Sequence, residues 1–136
     1  MKRITYTFIL IGILALADSC STTNSNNIKM KDCELNDLEI QHMVIFNLPY
    51  QEGSVEARTF LEDGTRILTA IPVVRNFQAF KQVSKKNDFQ YGFSMVFANQ
   101  DDYDIYNQHP DHVAFVQERW LKEVTDFLEI DLNRHH

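Results

Sequence analysis

Apolar residues fall in two rhythms along this chain. From Ile40 to Leu48 they alternate: Ile40, His42, Val44, Phe46 and Leu48 point one way, and Gln41, Met43, Ile45 and Asn47 the other. The pattern predicts a strand, and because Met43 and Ile45 keep the second face apolar, both faces are expected to meet a partner. Gly53-Ser54 then opens a helix with Ser54 as its N-cap. Ala57, Phe60, Leu61, Gly64, Ile67, Leu68 and Ile71 recur at helical spacing as one stripe, and Pro72 helps to stop it. Val73 to Phe80 reads as a second strand, followed by a polar connection over 84–88. The third strand, Phe89 to Ala98, has the clearest alternation, with Phe89, Tyr91, Phe93, Met95 and Phe97 on one side. Asn99 to Asp102 can cap a short helix that carries Tyr103 and Tyr106 and ends near Pro110. From Asp111 the helical spacing resumes, with Val113, Val116, Trp120 and Val124 on one side, and Phe127 to Leu132 closes the domain as a last strand.

The order strand, helix, strand, strand, helix, strand predicts an α+β fold of the ferredoxin-like kind: a four-stranded antiparallel sheet with helices on one face. Helices on one face leave the apolar residues of the other uncovered. A core of fewer than about 100 residues is also small. A second copy of the chain can cover the bare sheet face most simply, which predicts a two-fold homodimer, a dimeric α/β barrel.

The folded part, 39–132, lies behind a different kind of segment. Lys2 and Arg3 form a short positive head, followed by a mostly apolar run of fourteen residues from Ile4 to Ala17. At about 1.5 Å per residue that run spans about 21 Å of helix, short of a hydrocarbon core of roughly 30 Å. Residues 1–19 therefore read as a secretory signal peptide. Leu16-Ala17-Asp18-Ser19-Cys20 is similar to the lipobox of bacterial lipoproteins, which makes Cys20 the lipidation site, although Asp18 departs from the usual pattern. Ala15-Leu16-Ala17 offers ordinary cleavage as the alternative. Residues 20–38 then act as a polar tether, since the run STTNSNN buries too little apolar surface to fold. The chain is expected to be exported to the bacterial cell envelope, held at the membrane by a lipid or free in the periplasm. With Cys20 lipidated, Cys33 is a lone thiol; otherwise a Cys20–Cys33 bridge is open to it. Residues 133–136 are a short tail.

Charge narrows the partners. Over 136 residues the formal charge is −6, and removal of Lys2, Arg3 and Asp18 with the leader leaves 11 basic against 18 acidic residues, or −7. Without a basic stripe the chain is a poor match for a phosphate backbone, so no nucleic-acid partner is expected. The sequence has no glycine-rich phosphate loop, G-x-S-x-G or H-E-x-x-H.

The densest candidate chemistry is Tyr106-Asn107-Gln108-His109-Pro110-Asp111-His112-Val113-Ala114-Phe115. Tyr106 and His112 flank a helix break at Pro110, where two short helices can converge their polar tips. His42 is the odd residue on an apolar strand face that continues through Val44 and Phe46. If that face meets the helices, His42, Tyr106 and His112 share a half-buried pocket, with Val44, Phe46, His109 and Phe115 beside them. A neutral imidazole there can accept a proton, and a tyrosine hydroxyl can hold a carbonyl oxygen. Two plainer roles stand alongside: His42 as a core residue satisfied by one hydrogen bond, and His109 as a helix cap. His109 and His112 are three apart, but Pro110 interrupts the helix that would align them, so neither a metal nor a cofactor is expected.

Three stretches resemble a known family: Gln41-His42-Met43-Val44, the run from Gln82 to Tyr91, and Tyr106 to Val113 with its H-P-x-H-V. They are similar to the Dabb proteins, stress-responsive dimeric α/β-barrel domains, over almost the whole folded part. The resemblance implies a ferredoxin-like protomer whose sheet docks on that of a second copy. It also places the residues of the olivetolic acid cyclase type, a metal-free aldol cyclase, on this chain. His112 falls at its catalytic histidine, a general base removing a proton alpha to a carbonyl. Tyr106 falls at its tyrosine, orienting His112 or polarising the carbonyl; His42 lines the pocket, and Phe115 matches an apolar wall residue. The function so implied is binding of, or chemistry on, a small carbonyl-bearing or aromatic molecule. A non-catalytic envelope binding or assembly module, and a related dimeric-barrel monooxygenase, are the alternatives.

Overall fold

The elements run β1 (Ile40–Asn47), α1 (Val55–Thr69), β2 (Arg75–Lys81), β3 (Tyr91–Phe97), α2 (Gln100–Gln108), α3 (Pro110–Phe115), α4 (Leu121–Glu123) and β4 (Asp126–Leu132). This is a computed structural model that describes residues 35–135. A π-helical turn, Val116–Trp120, joins α3 to α4. The signal peptide, Cys20, Cys33 and most of the tether lie outside the described residues. At the tether's end, Asn36 Oδ1 accepts from the amides of Leu38 and Glu39, so the chain already turns before β1.

Local chemistry starts α1, α2 and α3. Ser54 Oγ accepts from the Ala57 amide at 3.2 Å and caps α1, after a turn in which Gly53 takes φ +75°. Asn99 Oδ1 accepts from the Asp102 amide at 3.0 Å and caps α2. Pro110 sits at the first turn of α3, where its missing N–H costs nothing.

The sheet is antiparallel throughout, in the order β2-β3-β1-β4, with the helices on one face, as the element order predicts. Register decides what faces them. Across β3, β1 and β4 the helix-facing rows are Met95–His42–Asp131, Phe93–Val44–Glu129 and Tyr91–Phe46–Phe127. The opposite face carries Ser94–Met43–Ile130 and Gly92–Ile45–Leu128. Phe46, Phe60, Phe93 and Phe97 are essentially sealed. Each contributes about 1.5–3 kcal/mol by leaving water. Phe46 centres the cluster, 5.0 Å from the rings of both Phe93 and Trp120.

Two elements differ from the sequence reading. Val73 and Val74 belong to a turn closed by Val74 N–H to Ile71 O, so β2 starts at Arg75; a bulge with Asn76 at φ 50° follows. The second helical stretch does not bury one continuous stripe. Val113 is 44% exposed while Phe115 is buried, and the π turn after Phe115 re-aims the helix so that Trp120 reaches the core. Val124 lies past the helix end. No helix among the described residues is long and apolar enough to cross a membrane.

Candidate functional site

Between the helix-covered sheet face and the α3–α4 stretch lies a cavity of about 270 Å³. His42, Val44 and Met95 supply its sheet wall; Tyr106, His112, Phe115 and Trp120 its helical wall; Phe127 and Glu129 its β4 side. The fold thus brings together the three polar residues singled out from the sequence. Two of the expected pocket residues lie elsewhere. Phe46 is fully buried beneath Phe93 and Trp120, so its ring packs the core under the cavity. His109 does not line it either: it ends α2, its amide donating to the Tyr106 carbonyl oxygen at 3.1 Å, as the plainer sequence alternative had it, and its Nδ1 accepts from the Asp111 amide at 3.3 Å to cap α3.

Tyr106 and His112 meet across the Pro110 break, ring centroids 4.1 Å apart and tilted by 34°. His112 Nδ1 lies 3.4 Å from the carbonyl oxygen of Asn107. A proton on Nδ1 donates there and leaves the Nε2 lone pair as the acceptor. Burial depresses the His112 pKa, the Asn107 contact opposes that, and the neighbouring His42 and His109 lower it further. His112 is therefore neutral at pH 7 and can accept a proton. Burial raises the Tyr106 pKa, with Glu129 and Tyr103 adding to the rise, so the phenol remains a hydrogen-bond donor.

His42 is only 5% exposed and needs a partner for its ring nitrogen. Asp131, opposite it on β4, supplies one: Nδ1 and Oδ1 are 2.7 Å apart. The Tyr103 hydroxyl donates to the other carboxylate oxygen at 2.9 Å and lies 3.4 Å from Glu129 Oε1. Tyr103, Glu129 and Asp131 escaped the sequence reading. The signal was there in β4, where Phe127, Glu129 and Asp131 alternate onto one face, but only the β1–β4 register puts those acids opposite His42.

His42, Glu129 and Asp131 each bring one ligand atom within 4.8 Å of the others and could hold a metal ion. Its members come from opposite ends of the described fold, β1 and β4, unlike His109 and His112, which are neighbours in sequence. Hydrogen bonds already occupy both Asp131 oxygens. Among the residues lining the cavity, Glu129 alone carries a formal charge; no lysine or arginine joins it.

Comparison with known proteins agrees with this architecture. The model of the stress responsive A/B barrel domain, Dabb, matches residues 40–134. A Dabb family protein with a ferredoxin-like fold from Mesorhizobium loti MAFF303099 is 47% identical, with TM-score 0.72 over 73% of this chain and 99% of its own. A dimeric ferredoxin-like protein of unknown function from Bacteroides fragilis NCTC 9343 is 20% identical, with TM-score 0.57 over 74% of this chain and all of its own (100%). Hydroxynitrile lyase from Passiflora edulis shares the fold at 10% identity, with TM-score 0.65 over 74% of this chain and 95% of its own. No curated protein matches the chain.

Proposed function

This chain belongs to the stress responsive A/B barrel (Dabb) family, and from that premise we propose that it binds a small carbonyl-bearing or aromatic molecule beside His112. The observation that carries the reading is the Tyr106–His112 pair, ring centroids 4.1 Å apart in the wall of an otherwise largely apolar cavity. There a neutral His112 accepts a proton from a carbon alpha to the ligand's carbonyl, while the Tyr106 hydroxyl donates to the carbonyl oxygen. That is proton transfer without a cofactor, in the manner of an aldol cyclase or isomerase. His42 is engaged with Asp131, which favours a narrower part for it: shaping the wall and orienting the polar end of the pocket.

The rest of the proposal concerns where and how the protein works. We assign residues 1–19 to export and Cys20 to lipid attachment in the cell envelope, on the charged head, the short apolar run and the small residues before Cys20. A homodimer is supported by the Bacteroides fragilis and Thermobifida fusca YX neighbours, both described as dimeric, and we place it at the outer sheet face, which exposes Phe80, Leu128, Ile130 and Leu132.

A thermal-shift screen of neutral ketones and aryl ketones against the purified protein tests the pocket, with His112→Ala and Tyr106→Phe as controls. Stabilisation by a hit that both folded variants lose supports the reading. Hits that bind the variants unchanged overturn it. Mass analysis of the mature N-terminus tests the anchor: an acylated Cys20 supports it, and a plain start at Asp18 overturns it.

A further inference from the structure

We propose that the pocket selects ligands carrying a cationic nitrogen on an apolar body, with the Glu129 carboxylate as their anchor. The inference rests on the reading of the cavity as a small-molecule site and adds the charge of what enters it. Glu129 stands on the helix-facing side of β4, opposite Val44, and is part of the cavity wall. The neighbouring acid on that face, Asp131, has both oxygens engaged, by His42 at 2.7 Å and Tyr103 at 2.9 Å. Glu129 has a single long contact, 3.4 Å from the Tyr103 hydroxyl, and so keeps acceptor capacity for a ligand.

No lysine or arginine in the wall offsets that charge. Arg119, next to Trp120 in sequence, is outside the wall and paired with Asp63 and Glu123. The remaining polar groups are the Tyr106 hydroxyl and the imidazoles, and the rest of the lining is apolar, aromatic and aliphatic side chains together. Trp120 and Phe127 meet edge to face at 5.7 Å beside Glu129. Aromatic rings next to a carboxylate suit an ammonium group, because the ring quadrupole and the negative charge attract it together. Glu129 is exposed on the cavity's β4 side, where the same pair repels a carboxylate or phosphate. The ligand class is therefore an aryl or alkyl amine, or an amino ketone.

Three probes of one shape test this by calorimetric titration of the full-length protein in EDTA, which keeps divalent ions from the His42–Glu129–Asp131 group. They are 2-phenylethylamine, 2-phenylethanol and 3-phenylpropanoate. The amine is expected to bind about tenfold tighter than the alcohol, and the carboxylate weakest. Glu129→Gln should erase the amine's advantage and leave the alcohol unchanged. Raising salt from about 0.05 to about 0.5 M on the unaltered protein should weaken the amine alone, which serves as the test if the variant fails to fold. A carboxylate that binds as well as the amine, or an amine advantage that survives both Glu129→Gln and salt, overturns the proposal. Equal binding of all three probes overturns the charge preference and leaves the pocket reading standing; binding by none overturns both.

Discussion

His42 and Asp131 face each other across the β1–β4 pair, Nδ1 to Oδ1 at 2.7 Å, and the Tyr103 hydroxyl clamps the far oxygen of the same carboxylate. The arrangement solves a problem the sequence creates. A polar ring placed on the core face of an apolar strand loses its water and must find a partner inside. Removing that partner should cost more than removing the pair. Asp131→Ala is expected to destabilise the protein by about 1–3 kcal/mol, the price of an unsatisfied buried donor. Asp131→Asn, which keeps an acceptor oxygen, should cost less, and His42→Phe with Asp131→Leu should recover much of the loss. Urea unfolding of the four proteins measures it; equal losses in Asp131→Ala and the double variant would refute the pairing.

His112 gives the molecule a pH signature. Burial lowers its folded-state pKa below the ordinary 6.5. A depressed histidine means that the unfolded chain binds the proton more readily. The contribution to stability is therefore complete above about pH 6.5 and is lost as pH falls through the lowered folded value. Thermal midpoints should decline between neutral and mildly acidic pH, and His112→Gln should flatten part of that decline. Turnover of any substrate found should fall on the same acidic limb, because the protonated ring cannot act as a base. A limb unmoved by His112→Gln would dissociate the two.

Much of the frame is legible in the chain because its periodicities are strong. Alternation over 40–48 and 89–98, the Ser54 cap and the Pro110 break each dictate an element through local physics, and the structure places an element at each. The site is legible only in part. Tyr106 and His112 sit six residues apart around a proline, so short-range geometry already sets them together. Asp131 meets His42 across 89 positions of sequence, and only sheet register brings them together. The π turn at Val116–Trp120 is likewise silent in the residue pattern, because one extra residue in a helical turn is fixed by tertiary packing. That same turn swings Trp120 to the core, which leaves Phe46 underneath and out of the cavity.

Gly64 offers a way to alter the cavity from behind. A Cβ there would stand 2.8 Å from Phe93 Cζ and 3.2 Å from Phe115 Cζ. Both rings line the cavity, so each can yield by moving into it. Gly64→Ala gains about 1 kcal/mol of helix propensity, against about 1–3 kcal/mol for overpacking. The net change in stability is expected to be a loss of no more than about 2 kcal/mol. The loss in binding should be larger, since the displaced rings take up ligand volume. A chemical denaturation curve paired with a titration of a screened ligand separates the two effects; unchanged affinity would show that the rings relax elsewhere.

The bare sheet face makes the last prediction. Leu128, Ile130 and Leu132 of β4 point away from the helices, and Phe80 of β2 lies on the same side; all are 36–48% exposed. Apolar side chains gathered on one sheet face mark an interface. Because alternation sends the neighbouring Phe127, Glu129 and Asp131 to the opposite face, a charge on the outer side disturbs neither the cavity nor the His42 pairing. Leu128→Glu with Ile130→Glu should therefore turn a dimer into a folded monomer, read by light scattering after size exclusion. It should leave the circular dichroism spectrum intact. If the unaltered protein is itself monomeric, or the double variant stays dimeric, another surface or none holds the copies together. Loss of ligand binding in a well-folded monomer would mean that the partner also braces β4, the strand that presents Glu129.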